Sequence, residues 1–455
     1  MHHFDDTTED LARRVFEYTA ERLHLDPVPL DHGVSPSRLD ADAPSLIDEH
    51  GHSPAEVMDQ FVNVLAPAVI SSDSPRFLSF IPAAPTKASL LFDMVVSCSS
   101  LSGISWLEAA GAVHAENQVL RFLADLAGLP EGAGGCFVSG GSAANLSALV
   151  TARDTARRAR GRVGGAAPGR RGRIAASEQA HSSVKNTANI IDADILAVPT
   201  GADDRLTGGA LRAALERDPD PESVFAIVAT GGTTNAGIVD DLRGVGDVAR
   251  DRGIWFHADC AYGGAALLAP SVRTRFDGIE LVDSFVVDPH KFLFAPFDSA
   301  ALLYRTPELA RAVHTQDASY LDVIHDREEW NPTDYAYHLT RRARGLPLWC
   351  SLAVHGWGAY RDAIEQVLAT TRAAAARIDA APHVELVREP ELTVVLFRRL
   401  GWDDARYEQW SAQLLADQIA FVTPSKWRGA TVARLAFLHP DTPIELVDEI
   451  LASME

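Results

Sequence analysis

From residue 134 onward the chain alternates short apolar runs with helix-patterned stretches. GCFVSG (135–140), RIAASE (173–178), DILAVPT (194–200), VFAIVAT (224–230), IWFHAD (254–259) and DSFVVD (283–288) are apolar without strict alternation, which is how strands covered on both faces read. Between them, SAANLSALVTARDTARRA and LRGVGDVARDRG carry apolar residues at helical spacing. The pattern predicts a mostly parallel mixed sheet flanked by helices, an α/β fold in which ligands gather beyond the carboxyl ends of strands. Upstream, LARRVFEYTAERL and SPAEVMDQFVNVLAPAV predict two amphipathic helices, the second capped by Ser53, joined by an extended arm, DPVPLDHGVSPSRLDADAPS. Downstream, HVELV, LTVVLFRRL and TVARLAFLHP predict strands, with helices at 404–418 and 443–453.

The expected organisation is therefore an N-terminal helical arm (1–85), a large α/β domain (86–345) and a small C-terminal α+β domain (346–455). An arm with so little core of its own is expected to lie across something else, a partner subunit being one option. The glycine- and arginine-rich stretch 161–172 reads as a surface loop.

Charge narrows the function. The 41 basic and 62 acidic residues give a net charge of −21, which opposes binding to nucleic acid or an anionic membrane and favours a small-molecule ligand. The acidic N-terminus lacks a secretory pattern, and no apolar stretch reaches the roughly eighteen residues of a membrane span. Cysteines 98, 136, 260 and 350 have no paired spacing, which predicts neither a disulfide framework nor a metal site and fits a reducing cytoplasm.

Four features fall where predicted strands end. SGGSAANL (139–146) forms a strand-to-helix turn where glycines and free helix amides suit a phosphate, although a plain cap by Ser142 is the simpler reading of that turn alone. HADCAYGG (257–264) places Asp259 directly after an apolar run, so that it needs a cation or donor unless it is exposed. SEQAHSSVKN opens a helix at His181, and ATGGTTNAGIVDDL puts Thr233 and Thr234 at another strand exit, both open to ordinary structural readings. The fifth element is VVDPHKFLFAPFDSA (286–300): the chain has only four lysines, and Lys291 lies between apolar runs. A single ligand would use all of them. Pyridoxal 5′-phosphate has a phosphate, a basic ring nitrogen, a flat ring and an aldehyde that condenses with an amine.

At these residues the sequence resembles the group II pyridoxal-phosphate decarboxylases, most closely the aromatic-L-amino-acid decarboxylases, through SEQAHSS, HADCAYGG and DPHKFLFAPFD. The resemblance implies an aspartate-aminotransferase-like fold (fold type I) and a homodimer with the active site at its interface. Lys291 would hold the cofactor, Asp259 would pair with its ring nitrogen, and His181 would stack over the ring. Ser142 and Ala143 would hold the phosphate, Thr234 would be a further cofactor-binding residue, and His290 would line the site. The segment 317–349 resembles the family's catalytic loop, with Tyr335 as the donor of a proton to the substrate carbon, although IHDREEWNP departs from the family pattern. Phe80, Pro82 and Trp106 would line an apolar substrate pocket, and Arg434 matches a C-terminal arginine that in some relatives meets a substrate carboxylate. The implied reaction is decarboxylation of an aromatic L-amino acid (tyrosine, DOPA, tryptophan or phenylalanine). Alternatives are another amino acid such as glutamate, diaminobutyrate or histidine, an aldehyde-forming oxidative decarboxylation, or a cofactor-free binding protein on the same scaffold.

Overall fold

The computed structural model describes residues 2–81, 84–159, 171–325 and 329–455. They form two compact units. One comprises Ala83–Arg372 with Arg388–Val395, and the other Met1–Pro82, Ala373–Val387 and Leu396–Glu455.

The larger unit is built on a seven-stranded sheet: β1 (Gly134–Val138), β2 (Gly172–Ser177), β3 (Ala193–Val198), β4 (Val224–Thr230), β5 (Trp255–Asp259), β6 (Ser284–Val287) and β7 (Ala300–Tyr304), in the order β1-β7-β6-β5-β4-β2-β3. The pairs β2·β3, β2·β4, β4·β5 and β5·β6 are parallel, and β7 runs antiparallel to both its neighbours. All six apolar runs form strands as expected. The sequence reading lacked β7, a five-residue run of AALLY. Every residue of β4 is buried, which is why VFAIVAT shows no polar alternation: both faces meet helices.

Helix Gly141–Ala159 packs Ala144, Ala148, Leu149 and Ala152 against Val138, Ile174 and Val228. These positions recur at three and four residues, so one stripe of the helix enters the core. The parallel β1, β2, β4, β5 and β6 all end at the same side of the sheet, and their following turns (Gly141, His181, Thr234, Tyr262 and Lys291) line one cavity. Sheet topology thus gathers residues separated by 150 positions in the chain.

A second sheet, in the order β10-β11-β9-β8, is formed by β8 (Val384–Leu386), β9 (Val394–Arg399), β10 (Ser425–Trp427) and β11 (Ala430–Ala436), all of it in the smaller unit except the first two residues of β9. Helices Asp404–Ala416 and Glu445–Ala452 accompany it. At the N-terminus, helix Asp6–His24 buries none of its residues. Helix Pro54–Gln60 begins with the full reciprocal capping of Ser53 and Glu56. The arm expected to be extended throughout contains a short helix, Pro36–Asp42, opened by a proline that pre-sets the helical φ. The stretch 161–170 lies outside the described residues. No described helix is long and apolar enough to cross a membrane.

Candidate active site

The cavity encloses about 410 Å³ and is lined by Ser142, Ala143, His181, Thr234, Asp259, His290 and Lys291. It thus brings together all seven residues that the sequence pointed to around a cofactor. Lys291 sits on a single helical turn, Pro289–Phe292, that follows β6 directly. Its ammonium lies 3.0 Å from Asp288 Oδ2. Burial pulls its pKa down, but Asp288 and Asp259 outweigh that effect and leave it above the ordinary lysine value.

Asp288 is the main residue the sequence reading passed over. It is 1 % exposed, and its Oδ2 accepts a hydrogen bond from the backbone N–H of Gly141 at 3.2 Å. A side chain at Gly141 would place its Cβ 3.1 Å from that oxygen and from Ala261 Cβ, so glycine is what lets the helix start approach Asp288 this closely. The available signal was the Asp-x-x-Lys spacing in DPHK, which puts the two charges on one helical face.

Asp259, at the end of β5, is 6 % exposed. Its Oδ1 accepts from the Ala261 N–H at 3.2 Å and its Oδ2 from the Asn145 side-chain amide at 2.9 Å, so the buried carboxylate is anchored at both oxygens. His290 Nδ1 accepts from the Ser299 N–H at 3.0 Å, which puts the ring proton on Nε2, 3.6 Å from Asp288 Oδ2. Burial lowers the pKa of His290, against the pull of Asp288. His181 caps helix Ser182–Ile190, with Nδ1 accepting from the Ser183 N–H at 3.2 Å.

Within one chain, Tyr335 stands apart from the residues expected around the cofactor. It does not line the cavity; it is buried in the core of the larger unit, stacked on Trp330 with ring centroids 4.2 Å apart. The physical reason is its apolar ring, which fills space beside β1 and β7, where its carbonyl accepts from the Tyr304 hydroxyl at 3.0 Å. Trp106 is also absent from the lining; it begins helix Trp106–Leu126, its backbone N–H donating to Asn331 Oδ1 at 3.0 Å. Phe80 and Arg434 belong to the smaller unit, where Arg434 Nη2 donates to the Phe80 carbonyl at 2.8 Å and the Phe80 ring lies near Phe77 and Phe421. Pro82 lies outside the described residues.

A lysine and a buried acid converging with a helix start on one cavity define a site for an aldehyde cofactor bearing a phosphate and a basic nitrogen. Residues 36–400 match the model of the pyridoxal-dependent decarboxylase conserved domain, and the chain belongs to that family. It is 28 % identical over 448 residues to the aromatic-L-amino-acid decarboxylase of Bacillus atrophaeus, covering 95 % of this chain and 91 % of the relative. It is 30 % identical over 382 residues to the L-2,4-diaminobutyrate decarboxylase of Rhizobium meliloti (strain 1021), covering 80 % and 73 %. The solved structure of Oryza sativa TDC with PLP and tryptamine shares the fold, with a TM-score of 0.91 at 24 % identity over 99 % of this chain and 98 % of that one.

The chain is thus a carboxy-lyase whose cofactor is pyridoxal 5′-phosphate, and its residues fit that group. Two cavity-lining oxygens, Thr230 Oγ1 and Asp288 Oδ1, are buried with no partner among the described residues. Buried polar atoms of this kind are normally satisfied, and a polar ligand is one way to do it.

Proposed function

We propose that this chain decarboxylates an aromatic L-amino acid to the corresponding amine, as a cytoplasmic homodimer. The observation that carries the reading is the convergence of the Lys291 amine, the buried Asp259 carboxylate and the glycine turn at Gly141 on one cavity. When bound, the cofactor supplies an electron sink for the pair left by the breaking carbon–carboxylate bond. Lys291 is the residue that attaches it. Asp259 would hold a proton at its ring nitrogen, Ser142 and Ala143 would hold its phosphate, and Thr234 would contribute to binding it. His181, in the cavity lining, would stack on its ring, and His290 presents its Nε2–H to the site.

Three observations favour an aromatic substrate. The relative from Bacillus atrophaeus, matched over nearly the whole chain, is an aromatic-L-amino-acid decarboxylase. Tyr262 and Phe297 line the cavity, and no arginine is among the described lining residues. An acidic side chain would need such a partner, and Arg434 already donates to a backbone carbonyl. The dimer accounts for helix Asp6–His24, which buries nothing within one chain and leaves Phe16 63 % exposed.

The test is a substrate panel of tyrosine, DOPA, tryptophan and phenylalanine against glutamate, 2,4-diaminobutyrate and histidine, scored for carbon dioxide, amine and hydrogen peroxide. Amine and carbon dioxide in equal amounts, highest kcat/KM for an aromatic substrate and no peroxide are expected. Preference for a non-aromatic substrate overturns the substrate class, and stoichiometric peroxide overturns simple decarboxylation. Failure of cofactor-replete protein to show visible absorbance overturns the enzyme reading.

A further inference from the structure

A chain of polar side chains runs from the cavity lining, where Asn145, Ser183, Asp259 and His181 lie, back to His257, Ser284 and Trp255. Trp255 Nε1 donates to Ser284 Oγ at 2.9 Å, and Ser284 Oγ lies 2.8 Å from His257 Nδ1. His257 Nε2 is 2.9 Å from Asn145 Oδ1. The Asn145 amide nitrogen is 2.8 Å from Ser183 Oγ and 2.9 Å from Asp259 Oδ2. Ser183 Oγ in turn lies 2.8 Å from His181 Nδ1. His257 is fully buried and Asn145 is 1 % exposed.

Chemistry leaves one consistent set of hydrogens. A carboxylate only accepts, so the Asn145 NH₂ faces Asp259 and its carbonyl faces His257. His257 must then carry its proton on Nε2. Nδ1 is left to accept from the Ser284 hydroxyl, whose oxygen already takes the donor-only indole of Trp255. At the other end the second amide hydrogen goes to Ser183. The Ser183 hydroxyl donates to His181 Nδ1, which also accepts the Ser183 backbone N–H. His181 therefore keeps its proton on Nε2. One carboxamide holds two cavity residues that lie on separate turns, after β2 and after β5.

We propose that Asn145 is a positioning residue: anchored by His257, its amide aims the Asp259 carboxylate at the cavity and, through Ser183, sets the ring orientation of His181. The assignment rests on the reading of Asp259 as the partner of the cofactor's ring nitrogen. Asn145 acts through Asp259 and is given no contact with cofactor or substrate. Burial lowers the pKa of His257 to about 4, so the anchor stays neutral and its tautomer fixed near neutral pH.

The test uses the full chain, stripped of cofactor and reconstituted with pyridoxal 5′-phosphate or with its 1-deaza analogue, in which a C–H replaces the ring nitrogen. Binding is followed by visible absorbance for wild type, Asn145→Leu and Asn145→Ser. The two variants remove the same donor with opposite changes in volume, and if one fails to fold the other carries the test. A hydrogen bond to a charged group is lost, so each variant is expected to bind pyridoxal 5′-phosphate about tenfold to a hundredfold more weakly. The deaza analogue, having no nitrogen for Asp259 to meet, is expected to bind variants and wild type alike. Equal weakening for both cofactors would show a merely structural role and overturn the proposal, as would no weakening for either. Wild type that binds neither cofactor would overturn the underlying reading, and the proposal with it; loading of wild type separates the two failures.

Discussion

Lys291 and Asp288 form an ion pair 3.0 Å across, and on the role proposed for Lys291 cofactor attachment turns on that pair. An ammonium cannot attack an aldehyde, so the amine must first shed the proton that Asp288 helps it keep. Burial alone favours the neutral amine, and the two aspartates outweigh it. Asp288→Asn removes the nearer charge and is expected to speed uptake of cofactor by stripped protein at neutral pH, with the advantage shrinking as pH rises toward the lysine pKa. Stopped-flow absorbance between pH 6 and 9 checks this; slower uptake by the variant at every pH would show that Asp288 serves as an acceptor in attachment instead. Lys291, Asp259 and His181 were legible in the sequence because each ends or follows an apolar run, where a polar residue stands out. Asp288 was not singled out although its i,i+3 spacing to Lys291 was a local signal, and Asn145 was not because its partners Ser183, Asp259 and His257 lie on other elements. Asn145 did leave a trace: it is a polar residue beside the buried stripe of Ala144, Ala148, Leu149 and Ala152.

At the scale of elements, two buried polar clusters hold the larger unit. Arg341, with no side-chain exposure, makes a two-pronged ion pair with Glu116, both Nη2 distances being 2.8 Å. Glu116 Oε1 also accepts the Gly345 N–H at 2.8 Å, and Arg341 Nη1 donates to the Gly103 carbonyl. The pair thereby ties the RRAR segment to helix Trp106–Leu126. Glu116→Ala leaves a buried, unpaired guanidinium and is expected to lower unfolding free energy by about 3–5 kcal/mol; a chemical denaturation midpoint within error of wild type would contradict it. The second cluster is pH-sensitive. Burial lowers His257 from an ordinary 6.5 to about 4, so below pH 6.5 the unfolded chain binds a proton that the folded one refuses. Stability from this site is therefore full above about 6.5 and is lost as pH falls through about 4. His257→Gln is expected to flatten the stability profile between those values; an unchanged slope would show that other groups set it. Strand positions were readable because two-sided burial produces unbroken apolar runs. The antiparallel β7 was missed because five residues of AALLY suit a helix as well as a strand.

For the whole molecule, the sheet does the assembling. Five strand ends bring residues 141 to 291 to one cavity, which is why strings scattered through the sequence could be read together as one site. What the pattern could not give is the grouping of the chain into units: residues 1–82 cluster with 373–387 and 396–455, a pairing of chain ends that no local periodicity encodes. The central claim is that one lysine of four attaches the cofactor. Reduction of cofactor-loaded protein with borohydride, followed by proteolysis and mass spectrometry, tests it most directly. A pyridoxyl-phosphate mass on the peptide containing Lys291, absent from peptides containing Lys87, Lys185 and Lys426 and absent altogether from Lys291→Ala, is the predicted result. Label on any other lysine in place of Lys291, or retention of the label in the Lys291→Ala protein, would contradict the account.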